Sequence, residues 1–243
     1  MRPVNRGASP LVGDFKNYRD AYVDLNTRIG AYCSYCERFL YTNIAVEHIH
    51  AKGLKQYKHL ENTWNNFLLA CVNCNAIKGH KNVHLKQFLL PDRDNTFYAY
   101  VYHKDGTISI SPHLPRQLRT FAANTLALVG LERVGTEDLD SNGIAVALDR
   151  VAQRKQHWAR AEVALGALRR NPTDDQCLTI RELALASGFF SVWMTVFKDE
   201  PNMLKIFVDA FNGTRLSGCF HPRSTKAVSP APNPDRLLGG GKT

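Results

Sequence analysis

Long apolar runs are missing from this sequence. None approaches the roughly 18 residues that a membrane-spanning helix requires. Residues 1–14 have no apolar core of the kind that a secretory signal peptide carries. Internal repeats are also missing, as is a helix-turn-helix or zinc-finger array that would read a DNA sequence. These absences argue against a membrane protein and a repeat protein, and we expect a cytoplasmic protein.

Acidic residues are the scarcer charged type. The 243 residues include 31 Lys and Arg against 22 Asp and Glu, which gives a net charge of +9. Residues 1–90 have 12 basic against 6 acidic side chains, residues 91–220 have 15 of each, and residues 221–243 have 4 against 1. A local basic excess attracts phosphate backbones, although many basic proteins bind no nucleic acid. Charge therefore makes nucleic acid a candidate partner without deciding the question.

Apolar spacing and turn residues divide the chain into four parts. Residues 1–30 predict a helical lead-in capped by Gly30, residues 31–90 carry the motif, residues 91–220 predict a β-hairpin followed by helices, and residues 221–243 predict a flexible basic tail. In the third part, a tight turn is predicted at Asp105 and Gly106, a helix end at Gly130, a long helix over about 144–170, and a capping box at Thr173. The fold class is therefore α+β with a mainly helical C-terminal region.

Four of the six cysteines form two CxxC pairs, Cys33 with Cys36 and Cys71 with Cys74. Without an export signal, such pairs indicate metal ligands rather than disulfides. Four thiolates complete a tetrahedral Zn²⁺ site and leave no open coordination position. The pairs thus predict a structural zinc site, which by itself says nothing about catalysis.

The segments between the pairs and directly after the second pair carry residues that a zinc scaffold does not need. They are an acid–histidine pair at Glu47 and His48, an amide at Asn66, a second amide at Asn75 and a cation at Lys78. Phosphodiester cleavage requires a general base and a hard divalent cation. Histidine supplies a base near neutral pH, and carboxylate and amide oxygens suit Mg²⁺.

This arrangement resembles the zinc-stapled HNH endonucleases, which have a ββα-metal fold. The resemblance implies that Glu47 binds the catalytic Mg²⁺ or Mn²⁺ and that His48 is the general base. It further implies that Asn66 orients the histidine or its loop and that Lys78 lies near phosphate. Asn75 takes a position that is commonly His in this family, so its role as a metal ligand stays open.

His50 is an alternative to His48 as the base. The two residues are two positions apart and would share a face on a strand. The family register favours His48, and His50 could instead bind the catalytic metal or a phosphate.

A wider resemblance extends over most of the chain. The start of the chain, residues 29–37, 64–78 and 90–97, and the segment around Gly130 are similar to the nuclease-subunit family of Septu-type antiphage systems, PtuB, including a retron-associated branch. The resemblance implies a defence role beside an ABC-type or SMC-like ATPase subunit of the PtuA type. We expect residues 91–220 to bind this partner, and zinc binding to survive removal of that region.

Two other interpretations remain from the sequence. One is a non-catalytic zinc-knuckle module that only binds nucleic acid, and the other is a stand-alone restriction-type HNH enzyme. The substrate stays open between DNA, which we favour, and a structured RNA such as tRNA.

Overall fold

The computed structural model describes residues 1–134 and 150–243 of the chain. The strands are β1 (Ile44–His48), β2 (Phe67–Cys71), β3 (Tyr100–Tyr102) and β4 (Ile108–Ile110), and the α-helices are α1 (Tyr22–Ile29), α2 (Val72–Lys78), α3 (Arg116–Val129), α4 (Arg150–Arg170), α5 (Asp174–Ser187), α6 (Phe190–Val196) and α7 (Pro201–Ala210). Short 3₁₀-helices at Tyr18–Ala21, Lys55–Leu60 and Trp64–Asn66 precede α1 and β2. The α+β fold class predicted from the sequence is confirmed.

The strands β1 and β2 form an antiparallel pair that leads directly into α2. Glu47 lies opposite Leu68 and His48 lies opposite Phe67. All five residues of β2 are buried, as expected for its continuous apolar run, and Cys71 is the N-cap of α2. This ββα unit holds the acid–histidine pair on its first strand and the third and fourth cysteines at the junction of its second strand with its helix.

A second antiparallel pair, β3 and β4, lies in the predicted hairpin region. Gly106 occupies the turn with φ of 88°, a value that favours glycine. The strands are shorter than the predicted segments because each pairs over only three residues. The helix that follows, α3, ends at Gly130 in the left-handed conformation, which confirms the predicted end.

The C-terminal helices α4 to α7 pack around their own apolar cluster. Trp193, Phe197 and Phe207 are fully buried in its centre. The Thr173 side chain accepts a hydrogen bond from the Gln176 backbone N–H, as the predicted capping box requires. The predicted long helix corresponds to α4, and its residues before 150 lie outside the described part. Across the described ranges, no helix has the length and apolar character to cross a membrane.

The main hydrophobic core crosses the boundary predicted at residue 90. Cys33, Phe67 and Cys74 share one buried cluster with Tyr100 and Val129 from the following region. The motif region and residues 91–134 therefore form one packed unit, in contrast to the four separate parts drawn from the sequence.

The C-terminal segment predicted to be flexible packs against the body of the protein instead. The Gly241 N–H donates to the Arg93 carbonyl, the Lys242 N–H donates to Asp94 Oδ1, and Leu237 is buried. The Gly, Pro and Ser residues of this segment, which favour disorder by composition, form turns. Here the turns bring backbone donors and acceptors to the buried segment around Asp94.

Candidate metal centre and catalytic cleft

The four motif cysteines converge at one point. The sulfur atoms of Cys33, Cys36, Cys71 and Cys74 lie within 4.8 Å of one another, and all four residues are buried. The Cys36 and Cys71 sulfurs are 3.8 Å apart. A tetrahedral site with Zn–S bonds of about 2.3 Å has sulfur–sulfur edges of about 3.8 Å. The cluster thus has the donor set and the spacing of a zinc site.

Positive charge faces this cluster from the C-terminal half of the chain. Arg150, at the start of α4, donates from Nη2 to Cys74 Sγ at 3.2 Å and lies 3.8 Å from Cys71 Sγ. Burial acts to lower the Arg150 pKa, but the charges of the cysteines raise it above its ordinary value. Hydrogen bonds with Cys33, and then with Cys36 and Cys74, lower the pKa of Cys71, whereas burial raises the pKa of Cys33.

The first cysteine knuckle also caps a C-terminal helix. Glu37 directly follows Cys36, and its carboxylate accepts hydrogen bonds from the backbone N–H and the hydroxyl of Ser191 in the first turn of α6. A carboxylate at a helix N-terminus accepts hydrogen bonds from free backbone N–H groups and interacts favourably with the positive end of the helix dipole. The first CxxC pair is therefore fixed to the helical region. The spacing of the cysteines alone does not predict this contact.

A cleft of about 790 Å³ lies beside the zinc cysteines. Its lining includes Tyr18 from the 3₁₀-helix before α1, Glu47 and His48 from β1, and Asn75 from α2. The ββα unit thus brings Asn75 to the same cavity as the adjacent pair Glu47 and His48, so three of the predicted catalytic residues lie together.

His48 is held by a backbone carbonyl. Its Nε2 lies 2.8 Å from the Glu61 carbonyl oxygen, which can only accept, so Nε2 carries the proton and Nδ1 carries the lone pair of the neutral ring. The rings of Tyr18 and Phe67 pack edge-on against the imidazole at 4.7 Å and 5.3 Å between centroids. Burial lowers the pKa of His48, so the ring is neutral at neutral pH. This is the state that a general base requires.

Glu47 and Lys78 form a buried ion pair at the floor of the cleft. Lys78 Nζ lies 2.8 Å from Glu47 Oε1 and donates to the His48 carbonyl at 2.6 Å, and both residues are at most 2% exposed. Burial raises the pKa of Glu47, and the Lys78 charge partly opposes this. The ammonium occupies the position beside the carboxylate where a cation would be expected, and Lys78 is not a free contact for phosphate in this arrangement.

Asn66 connects the two loops around His48. Its Oδ1 accepts from the His50 N–H, and its Nδ2 donates to the carbonyls of His50 and Leu60. Leu60 precedes Glu61, the residue that holds His48 Nε2. Asn66 is 3% exposed and lies outside the cleft lining, so its contacts suit orientation of the histidine loop rather than contact with a substrate.

His50 lies apart from His48. Strand β1 ends at His48, so the shared strand face expected for the two histidines does not extend to His50. The His50 ring stacks on Tyr57 and lines a separate cavity with Asn66 and Arg93. Burial lowers the pKa of His50 to about 4.

His80 is a cleft residue that the sequence did not single out as functional. It is exposed and lines the same cavity as His48 and Asn75. A Cβ at Gly53 would come within 2.5 Å of its Cε1, so the glycine leaves room for the ring. His80 follows Gly79, past the end of α2, and no sequence motif marks that position as functional.

Comparison with known families agrees with this geometry. Residues 33–81 match the family model described as HNH endonuclease. The match begins at the first cysteine of the zinc cluster and covers β1, β2 and α2. This segment is therefore an HNH domain, which implies nuclease activity and a nucleic-acid substrate. None of the curated proteins matches the chain.

Proposed function

We propose that this protein is a metal-dependent endonuclease that hydrolyses phosphodiester bonds, with His48 as its general base. One observation carries the proposal. The Glu61 carbonyl fixes the Nε2 proton of His48 and leaves the Nδ1 lone pair on a buried, neutral ring beside a cleft that also holds Glu47 and Asn75.

Each residue would have a separate role in the reaction. His48 Nδ1 accepts a proton from the attacking water, and Asn66 holds the loop that aims the ring. Glu47 and Asn75 offer a carboxylate and an amide oxygen, a donor set that suits Mg²⁺ or Mn²⁺. When bound, such an ion stabilises negative charge on the scissile phosphate. Cys33, Cys36, Cys71 and Cys74 would hold zinc as a structural ion.

The Glu47–Lys78 pair favours a second candidate function. A carboxylate that is already neutralised by a buried ammonium has less need of a divalent cation. A non-catalytic zinc module that binds nucleic acid would retain the fold and the cleft without cutting. Only a measurement of cleavage separates these functions.

The test is nicking of supercoiled plasmid by wild-type protein, His48→Ala and His50→Ala, each with Mg²⁺, Mn²⁺ or no added ion. We expect ion-dependent nicking by the wild type and a loss of roughly 10²–10⁴-fold in His48→Ala, the usual contribution of a general base. His50→Ala is the matched control, because His50 lines a different cavity. Equal rates for wild type and His48→Ala would remove His48 as the base, and absence of nicking by the wild type on plasmid and tRNA would favour the binding module.

We also propose a more specific role for this protein. It would be the nuclease subunit of a Septu-type antiphage system and would act with an ABC-type ATPase partner. It rests on the sequence resemblance and on a helical region larger than an HNH domain needs. Val163 on α4 and Leu178 and Leu183 on α5 are apolar and 42–72% exposed. Replacing them with lysine should abolish co-purification with the ATPase while zinc content is unchanged. Undiminished co-purification would exclude these three side chains as docking contacts for the ATPase.

A further inference from the structure

The cleft contains positively charged side chains that lie outside the HNH segment or outside its motif. In the described part of the chain, the Lys and Arg residues that line it are Arg19, Lys52 and Lys78. Lys78 is buried, forms an ion pair with Glu47 and donates a hydrogen bond to the His48 carbonyl, so its charge is already neutralised. Arg19 is exposed, and the Lys52 side chain is 40% exposed. A phosphate that enters the cleft therefore meets Arg19 and Lys52 before it meets Lys78.

Tyr18 holds these two cations at the mouth of the cleft. Lys52 Nζ lies 3.9 Å from the centre of the Tyr18 ring, and the Arg19 guanidinium carbon lies 5.6 Å from it. The same ring packs edge-on against His48. One aromatic side chain thus places two positive charges next to the proposed base.

Lys52 is not fully committed to another partner. Its Nζ forms an ion pair with Glu61 Oε1 at 3.6 Å, which is longer than a hydrogen bond. Lys58 donates a hydrogen bond to the other oxygen of Glu61 and keeps that carboxylate neutralised. Lys52 can therefore turn towards an anion without leaving Glu61 unpaired.

We infer that Tyr18, Arg19 and Lys52 form a phosphate-binding rim that holds one nucleic-acid strand over His48. The inference rests on the proposed function, and it extends substrate binding beyond the HNH segment, since Tyr18 and Arg19 precede that segment and Lys52 lies within it. The two cations contact backbone phosphates. The half-buried ring of Tyr22 also lines the cleft, and it suits stacking against a base of a strand drawn into it.

Binding is measured in the His48→Ala background, so that the strand stays uncut. The probes are a fluorescein-labelled 20-base-pair DNA duplex and a labelled single-stranded RNA of the same sequence, at several salt concentrations. Lys52→Met should weaken duplex binding by about fivefold to tenfold and reduce the slope of log K against log salt by about 0.9, the value for one lost phosphate contact. Lys52→Arg should restore both quantities, and Arg19→Met combined with Lys52→Met should reduce the slope by about twice as much.

Lys55→Met is the matched control, because Lys55 is an exposed lysine close to Lys52 in sequence that does not line the cleft. It should leave the salt slope unchanged. In protein with intact His48, Lys52→Met should raise KM with little change in kcat, and its melting temperature should stay near the wild-type value. A purely structural role for Lys52 would lower the melting temperature or kcat and leave the salt slope unmoved.

The outcomes separate this inference from the proposed function. If Lys52→Met and Lys55→Met bind with the same affinity and salt slope, the proposed phosphate-binding rim is wrong even where His48→Ala has lost cleavage. If the wild type binds through Lys52 and Arg19 but never cuts, the rim stands and the nuclease proposal fails.

Discussion

Arg150 Nη2 lies 3.2 Å from Cys74 Sγ, although the two residues are 76 positions apart. Arg150 is 2% exposed, and the same nitrogen lies 3.8 Å from Cys71 Sγ. Four thiolates around a divalent zinc leave an excess of two negative charges. The buried guanidinium offsets part of this excess, so the C-terminal half contributes to the metal centre that the two CxxC pairs define.

We therefore expect purified protein to hold about one zinc per chain and to lose it faster when Arg150 is replaced by Met. Residues that contact metal ligands typically change metal affinity by roughly 10- to 100-fold, and we expect a similar acceleration of zinc transfer to a coloured chelator. Metal binding is coupled to folding at such sites, so the melting temperature should fall as well.

Arg154→Met is the control for the Arg150 experiment. Arg154 lies on the same helix and is 4% exposed, but its guanidinium donates to the Gly106 carbonyl instead of to a cysteine. Its loss should destabilise the protein without the same change in zinc release. Excess zinc should raise the melting temperature of Arg150→Met more than that of Arg154→Met. Indistinguishable zinc release from wild type and Arg150→Met would show that the contact has no effect on the metal.

The Glu47–Lys78 pair predicts a compensating pair of substitutions. Lys78→Met leaves a buried carboxylate without its partner, which typically costs about 3–5 kcal/mol of unfolding free energy. Adding Glu47→Gln should recover much of this loss, because the amide is uncharged, yet it should not restore nicking if Glu47 binds the catalytic ion. Urea unfolding of the wild type, both single variants and the double variant measures the coupling. Additive effects would mean that the two side chains do not interact in solution.

The sequence alone predicts the four zinc ligands and much of the secondary structure. Each CxxC pair is local and places two thiolates on one ion, and two pairs complete the tetrahedral ligand set of one zinc, so the ligand set could be predicted from the spacing. The end of α3 at Gly130 and the cap of α5 at Thr173 also follow from single residues with strong local preferences.

Long-range contacts of charged side chains were not predictable in the same way. Nothing in the positions of Arg150 or Glu37 indicates that one will reach Cys74 and the other will cap α6. The resemblance to HNH endonucleases implies that Lys78 lies near phosphate, whereas its position on the buried face of α2 directs it to Glu47. The roles of the cleft residues in catalysis stay predictions until cleavage is measured.

The shared core changes what a deletion should do. From the sequence, residues 1–90 were expected to retain zinc after removal of the following region. In the structure, Tyr100 and Val129 pack in the cluster that buries the cysteines, and Arg150 donates to Cys74. We now expect the 1–90 fragment to be unfolded or aggregated and to bind zinc weakly, as measured by circular dichroism and elemental analysis. A folded fragment with one zinc would show that the HNH segment is independent.

His157 on α4 gives a prediction about pH. Its ring stacks on Phe189 at 4.1 Å between centroids, and burial lowers its pKa to about 4, against an ordinary value of about 6.5. Because the folded protein resists protonation of this ring and the unfolded chain does not, the contribution of His157 to stability is complete above about pH 6.5 and is lost as the pH falls towards 4. His157→Phe keeps an aromatic stack and removes the titration. We expect the unfolding free energy of the wild type to fall more steeply between pH 7 and 5 than that of His157→Phe, as measured by urea unfolding. Both proteins carry the same zinc ligands, so zinc loss at low pH cancels in the comparison, and parallel curves for the two proteins would contradict the lowered pKa.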